Sequence, residues 1–316
     1  MRIVHTLIGL LILSGNISAQ QAMLYTQYFA NGFVVNPALA GSDGTLKFQL
    51  TARDYMIGIS ESPKTFTISC NGRLLGQRSG ARDAKMGSQI GKIGMGGLIY
   101  NDHNGLVNRL GLQCSYAYHL ELNQSQLSLG LSASLSQTSI DVDKLDFHDP
   151  EPMLREGFGN VVYAPDAALG VFYKNREHFL GLTVSNLFQR SVHFGEIDYK
   201  LVYHRHFYLL GGTSFDIGDN SYIAPSFLLK VASNRMYQNE FSVRVSHKDD
   251  VWMAFTYRTP QVVALMFGTS IHNFIIAYTY EYNFSALRSF SLGAHEVCLI
   301  YRIGDTSRRS RWLVRY

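Results

Sequence analysis

Residues 126–136 read Gln-Leu-Ser-Leu-Gly-Leu-Ser-Ala-Ser-Leu-Ser, an unbroken alternation of apolar with small polar residues. Successive side chains of a β-strand point to opposite faces, so this pattern predicts a strand with one apolar and one polar face. The segments 114–122 and 274–284 repeat the alternation, with Tyr, Leu and Phe on the apolar face. A strand facing bulk water usually carries Lys and Glu, whereas the polar faces here are mainly Ser, Thr, Gly and Asn. Such faces suit the crowded lumen of a barrel whose outer face lies in lipid.

The composition agrees with a membrane barrel. The chain has 19 Tyr, 19 Phe and 28 Gly, and only 16% of its residues are charged. Its mean hydropathy of −0.02 resembles that of a soluble protein, but alternating lipid-facing and lumen-facing residues average out in a barrel wall. A net charge of +4 is too small to indicate nucleic-acid binding. Cys70, Cys114 and Cys298 are an odd number, which does not suggest a disulfide framework.

The pattern along the chain predicts an all-β fold, a transmembrane antiparallel up-and-down β-barrel of about 14 strands over residues 44–304 in the bacterial outer membrane. In such barrels short turns face the periplasm and long loops face outside. We therefore expect turns near 175–176 and 247–250 in the periplasm and the insertions 74–90, 139–163 and 188–200 outside. The predicted strands are 44–52, 63–73, 91–101, 107–122, 125–138, 165–174, 177–187, 202–216, 220–232, 236–247, 251–258, 260–270, 272–284 and 290–303.

The two ends of the chain differ from the wall. Arg2, an apolar run at 7–13 and a polar stretch ending at Ala19 have the order of a secretory signal peptide, predicted at 1–19. Residues 20–43 form an aromatic, turn-rich segment before the barrel. We expect it to pack into the lumen or under the periplasmic rim and to help fix a partner site. Residues 305–316 form a basic tail, suited to acidic lipid, a periplasmic partner or water.

No segment has the spacing of a known chemical site. His204 and His206 could share one strand face, but without a visible third ligand we interpret them as lumen or aromatic-girdle residues. The acidic stretch 141–151 lacks the turn glycine of a calcium loop and reads as an external loop. The glycines at 91–97 are not followed by a phosphate-binding Lys-Ser/Thr and suit a wall strand that bends or thins. We therefore predict no catalytic, cofactor-binding or metal-binding residue.

One set of residues resembles a family signature. The set begins with a Thr-Gln-Tyr motif, continues through an Asn-Pro-Ala-x-Ala-Gly motif and ends in the last strand, and it resembles the PorP/SprF family. Further family-like stretches follow in order along the chain, such as 62–65, 96–102 and 165–173, although Met56 stands where the family has a tryptophan. The signature residues, as possible partner contacts or structural residues, are Thr26, Gln27, Tyr28, Asn31, Asn36, Pro37, Ala38, Gly41, His295 and Glu296.

The resemblance implies a non-enzymatic outer-membrane component of the type IX secretion and gliding motility machinery, without a cofactor. Its expected partners are outer-membrane lipid, secreted cargo with a C-terminal sorting domain and other secretion subunits, but not nucleic acid. Three alternatives stay open at the level of sequence. They are a passive porin or small-molecule channel, a barrel hydrolase with a site built from scattered strand ends, and a soluble exported β-sandwich.

Overall fold

Strands make up about three quarters of the structure, which is a computed structural model. It describes residues 31–58, 61–74, 93–122, 124–140, 161–189, 191–193, 200–218, 220–248, 250–284 and 292–304. The predicted signal peptide and basic tail lie outside these residues and stay predictions. The strands are β1 (Leu46–Asp54), β2 (Lys64–Leu74), β3 (Ile93–Asn104), β4 (Val107–Leu122), β5 (Ser125–Ile140), β6 (Val161–Lys174), β7 (His178–Ser185), β8 (Ser191–His193), β9 (Lys200–Val202), β10 (His206–Thr213), β11 (Phe215–Gly218), β12 (Ser221–Ala232), β13 (Tyr237–His247), β14 (Val251–Arg258), β15 (Val262–Ile271), β16 (Phe274–Asn283) and β17 (Ala294–Ile303).

Fourteen of these strands form a closed antiparallel barrel. Each strand pairs with its neighbours along the chain, β17 returns to pair with β1, and β10 pairs with both β7 and β12. The predicted fold class and strand number are thereby confirmed, and the predicted strand ends differ by at most four residues. The loop predicted at 188–200 instead contains part of the β8–β9 hairpin. Three-residue strands are too short to show an alternating pattern in the sequence.

The strand predicted at 202–216 is divided into β10 and β11 by a proline on its neighbour. The ladder to β12 runs to the pair Gly212–Ser226 and resumes at Phe215–Ile223. Pro225 lies in the interval and has no N–H to donate to a ladder. β11 therefore continues the same wall strand beyond the break rather than adding a fifteenth wall strand.

The two ends of the barrel differ in their connections. One end carries the start of β1, the end of β17 and the short turns at 123–124, 175–177, 219–220, 248–250 and 272–273. The opposite end carries the longer connections 55–63, 141–160, 186–205 and 284–293, besides short turns at 105–106, 233–236 and 259–261. Because outer-membrane barrels have short periplasmic turns, the first end faces the periplasm.

One predicted external loop belongs to the other end. Residues 75–92 lie outside the described part of the chain, but the paired residues Leu74 and Ile93 that flank them lie at the periplasmic end. The expectation that all three long insertions face outside was wrong for the first of them. Loop length alone was the basis of that expectation, whereas the side is set by counting strands from the N-terminus.

The faces of the wall follow the alternation seen in the sequence. On β5 the side chains of Leu129 and Leu131 are 47% and 51% exposed, which places them against lipid, whereas Ser128 and Ser132 face inward and are buried. The same division holds on β16, where Phe274 and Ile276 point outward and Thr279 inward. Within the described ranges, no helix has the length and apolar character needed to cross a membrane.

Candidate functional site

Residues 31–45, here called the lumen segment, lie against the inner face of the wall. They form a one-turn helix, Gly32–Val35, followed by a 3-10 turn, Pro37–Leu39. Asn36 caps the second turn, since its Oδ1 accepts a hydrogen bond from the Ala38 N–H at 3.0 Å. Pro37 occupies the first position, where its fixed φ is suitable and its missing N–H costs nothing. The Asn-Pro-Ala sequence thus determines the local shape of the segment.

The side chain of Asn36 also attaches this turn to the wall. Its Nδ2 donates to the Val171 carbonyl at 3.1 Å and to the Leu182 carbonyl at 3.4 Å. These carbonyls belong to paired residues of β6 and β7. Asn36 is fully buried, so both ends of its amide group need protein partners, and each has one.

Glycines in the wall make room for the lumen segment. A Cβ atom on Gly94 would overlap the Ala40 carbonyl oxygen, one on Gly130 would overlap the Ala38 backbone nitrogen, and one on Gly170 would overlap Asn36 Oδ1. The three glycines lie on β3, β5 and β6. Because a side chain at any of these positions would occupy the path of the segment, we call the three residues the glycine track.

Apolar contacts spread the segment across much of the lumen. Phe33 packs with Leu98 of β3 and Ala117 of β4. Ala38 packs in a second cluster with Phe172 of β6, together with Phe179, Leu210 and Leu228 of β7, β10 and β12. Phe33 and Ala38 are almost completely buried. The segment therefore contacts the wall along most of the arc from β2 to β12.

Cationic and polar side chains hold the carbonyl groups at the end of the segment. Arg73 of β2 donates from Nε to the Gly41 carbonyl at 3.1 Å and from Nη2 to the Ser42 carbonyl at 3.2 Å. Lys174 Nζ donates to the same Ser42 carbonyl at 3.1 Å. The cations thus bind backbone carbonyls just after the end of the 3-10 turn.

A histidine completes this arrangement. His119 Nε2 donates to the Ala40 carbonyl at 2.9 Å, and its Nδ1 lies 2.7 Å from Ser128 Oγ. Since the carbonyl can only accept, Nε2 carries the proton and the hydroxyl donates to Nδ1. His119 is fully buried.

Asp43 adds an anion next to these cations. Its carboxylate pairs with Lys47 at the start of β1. Burial favours the neutral form of this carboxyl group, but the charges of Lys47 and Lys174 outweigh that effect and lower the pKa of Asp43. Asp43 therefore stays ionised at neutral pH and balances part of the positive charge around the segment.

Part of the lumen at the periplasmic end, lined by β14–β17, is apolar. The Trp252 ring of β14 covers Gly268 of β15 so closely that a Cβ there would overlap it. Met266, Cys298 and Ile300 face inward nearby and are buried. Apolar inward residues on β14–β17 thus face the same half of the lumen as the lumen segment.

A buried ionic cluster lies in the opposite, external half of the lumen. Arg53 donates to Glu281 Oε2 at 2.8 Å and to Glu296 Oε2 at 3.2 Å. Arg258 Nε lies 2.7 Å from Glu240 Oε2, and its Nη1 lies 3.4 Å from Glu281 Oε2. The five side chains come from β1, β13, β14, β16 and β17, so the cluster connects the two chain ends of the barrel across the β1–β17 seam.

The signature residues are divided between the two halves. Asn31, Asn36, Pro37, Ala38 and Gly41 all lie in the lumen segment, where Asn31 Nδ2 donates to Ser69 Oγ at 3.0 Å. Gly41 has a φ of +64° and lies against the backbone of Gly72, so both its conformation and its space require glycine. Thr26, Gln27 and Tyr28 lie outside the described residues.

The last two signature residues lie on opposite faces of β17. His295 points outward, where its Nδ1 is 2.6 Å from the Tyr278 hydroxyl and its ring is 5.2 Å from that of Tyr280. Glu296 points inward to Arg53. The structure therefore does not bring His295 and Glu296 together with the described signature residues at 31–41.

The other candidate residues have ordinary structural contacts. His206 is buried, with Asn186 Nδ2 3.3 Å from its Nδ1, and His204 Nδ1 lies 3.4 Å from Ser233 Oγ. Over the ranges that the structure describes, no three His, Cys, Asp or Glu residues are placed to hold a metal ion. Gly94 and Gly96 of the glycine-rich stretch contact the lumen segment. The acidic stretch 141–151 lies outside the described residues.

Sequence reasoning missed Arg73, Lys174, His119 and the glycine track. Each is an inward position on a segment that was predicted as a strand. Inward charges at the periplasmic ends of strands, and glycines at inward positions of nearby strands, were the available signal. These inward charges and glycines can be recognised as one site only when the strand register is known, because the register brings them together.

Comparisons with known proteins give a family and a fold. A family model described as "Type IX secretion system membrane protein PorP/SprF" matches residues 17–301. No curated protein matches the sequence. Among solved structures, the chain is similar to the Acinetobacter baumannii outer membrane protein Omp33, with 9% identity, a TM-score of 0.47 and coverage of 83% of this chain and 100% of that one.

Two channel proteins show a similar degree of likeness. The CymD monoaromatic hydrocarbon channel has 11% identity, a TM-score of 0.49 and coverage of 86% and 91%. The Pseudomonas putida toluene transporter TodX has 9% identity, a TM-score of 0.44 and coverage of 89% and 94%. Likenesses at this level carry no argument about function.

Proposed function

Since this chain belongs to the PorP/SprF family of type IX secretion system membrane proteins, we propose that it is a non-enzymatic barrel that assists export or surface anchoring of secreted proteins with C-terminal sorting domains. Gliding adhesins are one class of such cargo. The observation that carries the proposal is the family match, which extends over the lumen segment and nearly the whole barrel. The location is the outer membrane.

The contents of the lumen support a scaffold rather than a passive channel. In the periplasmic half, the lumen segment is fixed by Asn36, Arg73 and the glycine track. A channel for small solutes needs a continuous water-filled path, and the buried, hydrogen-bonded lumen segment takes up part of that space in the periplasmic half. We propose that the signature residues of the lumen segment seat it in the lumen and that the seated segment helps fix the site that partners recognise.

An affinity purification tests the proposal. The tagged full-length protein is purified from gently solubilised outer membranes, and its partners are identified by mass spectrometry against an unrelated barrel with the same tag. We expect other type IX secretion subunits, or a large secreted protein with a C-terminal sorting domain, to co-purify. A barrel that purifies alone and conducts ions in planar bilayers would instead be a channel, and the proposal would be wrong.

A further inference from the structure

The strand β6 extends beyond its neighbour β7 at the external end of the barrel. The β6–β7 ladder begins at the pair Leu169–Val184. Toward the outside, one more bond follows, from the Leu187 N–H to the Ala167 carbonyl at 3.1 Å. On its other side β6 stays paired with β5 as far as Ser139–Val161. Among the described strands, none pairs with residues 161–165 on the side away from β5.

The described residues of the chain that follows β7 do not cover this edge. The Phe188 N–H donates to Asp166 Oδ1 at 3.2 Å, so the chain still follows β6 at that point. Gln189 then turns away, and its Nε2 donates to Ser233 Oγ at the β12–β13 turn, 3.1 Å distant. The described part of this connection therefore leaves β6 just before residues 161–165.

Two-residue alternation identifies the backbone groups at this edge. The Ala167 carbonyl points toward the β7 side, so the backbone carbonyls of Pro165, Tyr163 and Val161 point to that side too. In agreement, the Ala164 carbonyl faces β5, where it accepts from Ser136 Oγ at 3.3 Å. Pro165 has no N–H and lies where no ladder bond is lost. We call the outward-pointing backbone of Val161, Tyr163 and Pro165 the β6 edge.

The outermost residues of the β6 edge, Val161 and Tyr163, lie outside the hydrocarbon layer. A tilted strand crosses the layer with about 9–11 residues. β6 has 14 residues and β5 has 16, and their periplasmic ends are aligned at the pair Gln126–Lys174. The surplus therefore projects on the external side. There Val161 and Tyr163 present apolar side chains that are 42% and 60% exposed.

We propose that the β6 edge is a strand-addition site for an extended segment of a partner polypeptide. Within the described part of the chain, the carbonyls of this edge and the Tyr163 N–H have no ladder partner. Such an edge is completed by a strand, because only a strand supplies donors and acceptors at this spacing. The exposed Val161 and Tyr163 select a segment with apolar residues at every second position. The inference rests on the proposed function in one respect, that the partner is a protein delivered to the cell surface.

Site-specific photo-cross-linking in the intact outer membrane tests the site. A benzophenone amino acid replaces Tyr163 or Val161 in turn, and Leu169 serves as the control, because it points outward on the same strand but has ladder partners on both sides. We expect protein adducts from the first two positions only, mapping two residues apart within one extended segment of another polypeptide. Overturning results are the absence of such adducts, adducts to residues 141–160 of the same chain, or adducts without this register.

A backbone variant separates strand addition from side-chain contact. Tyr163→Pro removes the N–H at the β6 edge without removing a bond to β5, whereas Tyr163→Ser removes the ring and keeps the N–H. With the probe at Val161, we expect the adduct yield to fall about tenfold for Tyr163→Pro and to change less than about twofold for Tyr163→Ser. Equal losses would overturn the inference. The affinity purification does not depend on this edge and decides separately whether the proposed function stands.

Discussion

At the scale of single residues, the glycine track controls whether the lumen segment can dock. In Gly94→Ala the new methyl group would overlap the Ala40 carbonyl and separate it from His119. Such overpacking costs about 1–3 kcal/mol. We expect chymotrypsin to cleave after the buried Phe33 about tenfold faster or more, as read by mass spectrometry.

Gly97→Ala is the matched control, because it lies on the same strand and a Cβ there meets nothing within 4 Å. Its cleavage rate should equal that of the parent protein. If Gly94→Ala and Gly97→Ala are cleaved at the same rate, the glycine track does not seat the segment.

The ionic cluster is a second feature that single substitutions can test. Arg53 lies between Glu281 and Glu296, and its side chain is only 2% exposed. Arg53→Met would leave two carboxylates without this partner in a buried site, which costs about 3–5 kcal/mol of the free energy of unfolding. Urea unfolding in detergent micelles measures this loss. Arg302→Met, which removes a hydrogen bond to Ser270 Oγ, should cost about 1 kcal/mol, and a similar loss for both variants would refute the prediction.

At the scale of elements, the lumen segment and the wall have separable roles. Deleting residues 22–41 should leave the barrel inserted, because the ladders that close it lie entirely within β1–β17. The same deletion should abolish co-purification of secretion partners and raise the single-channel conductance in planar bilayers. Unheated gel mobility, which distinguishes folded from unfolded barrels, checks insertion. Failure to insert would show that the segment is needed for folding instead.

The sequence predicted the elements better than their contacts. Alternation in stretches such as 126–136 is a local property of each strand, so all fourteen wall strands could be found with small errors at their ends. The partners of Asn36 lie on β6 and β7, far away in the sequence. Contacts of that kind depend on strand register and barrel closure, which no local pattern contains.

At the scale of the whole molecule, closure depends on the last strand. β17 pairs with β1 from Leu46–Ile303 to Asp54–His295 and with β16 on its other side. A chain lacking residues 294–316 would expose two strand edges to lipid, where unpaired backbone groups are very costly. We expect this chain to yield no heat-modifiable barrel on gels. A chain lacking only residues 305–316 should fold normally, and its failure would assign the tail a role in assembly.

The fit between the glycine track and the lumen segment limits how the sequence can vary among related proteins. The residues concerned, 36–40 on one side and 94, 130 and 170 on the other, lie far apart in the chain but share one space. A larger residue on either side can persist only with a compensating change on the other, so these positions should covary among relatives. The lumen segment therefore cannot be moved from one such barrel to another without regard to the wall. Exchange between two such barrels should succeed only where the recipient wall carries glycines at the matching inward positions.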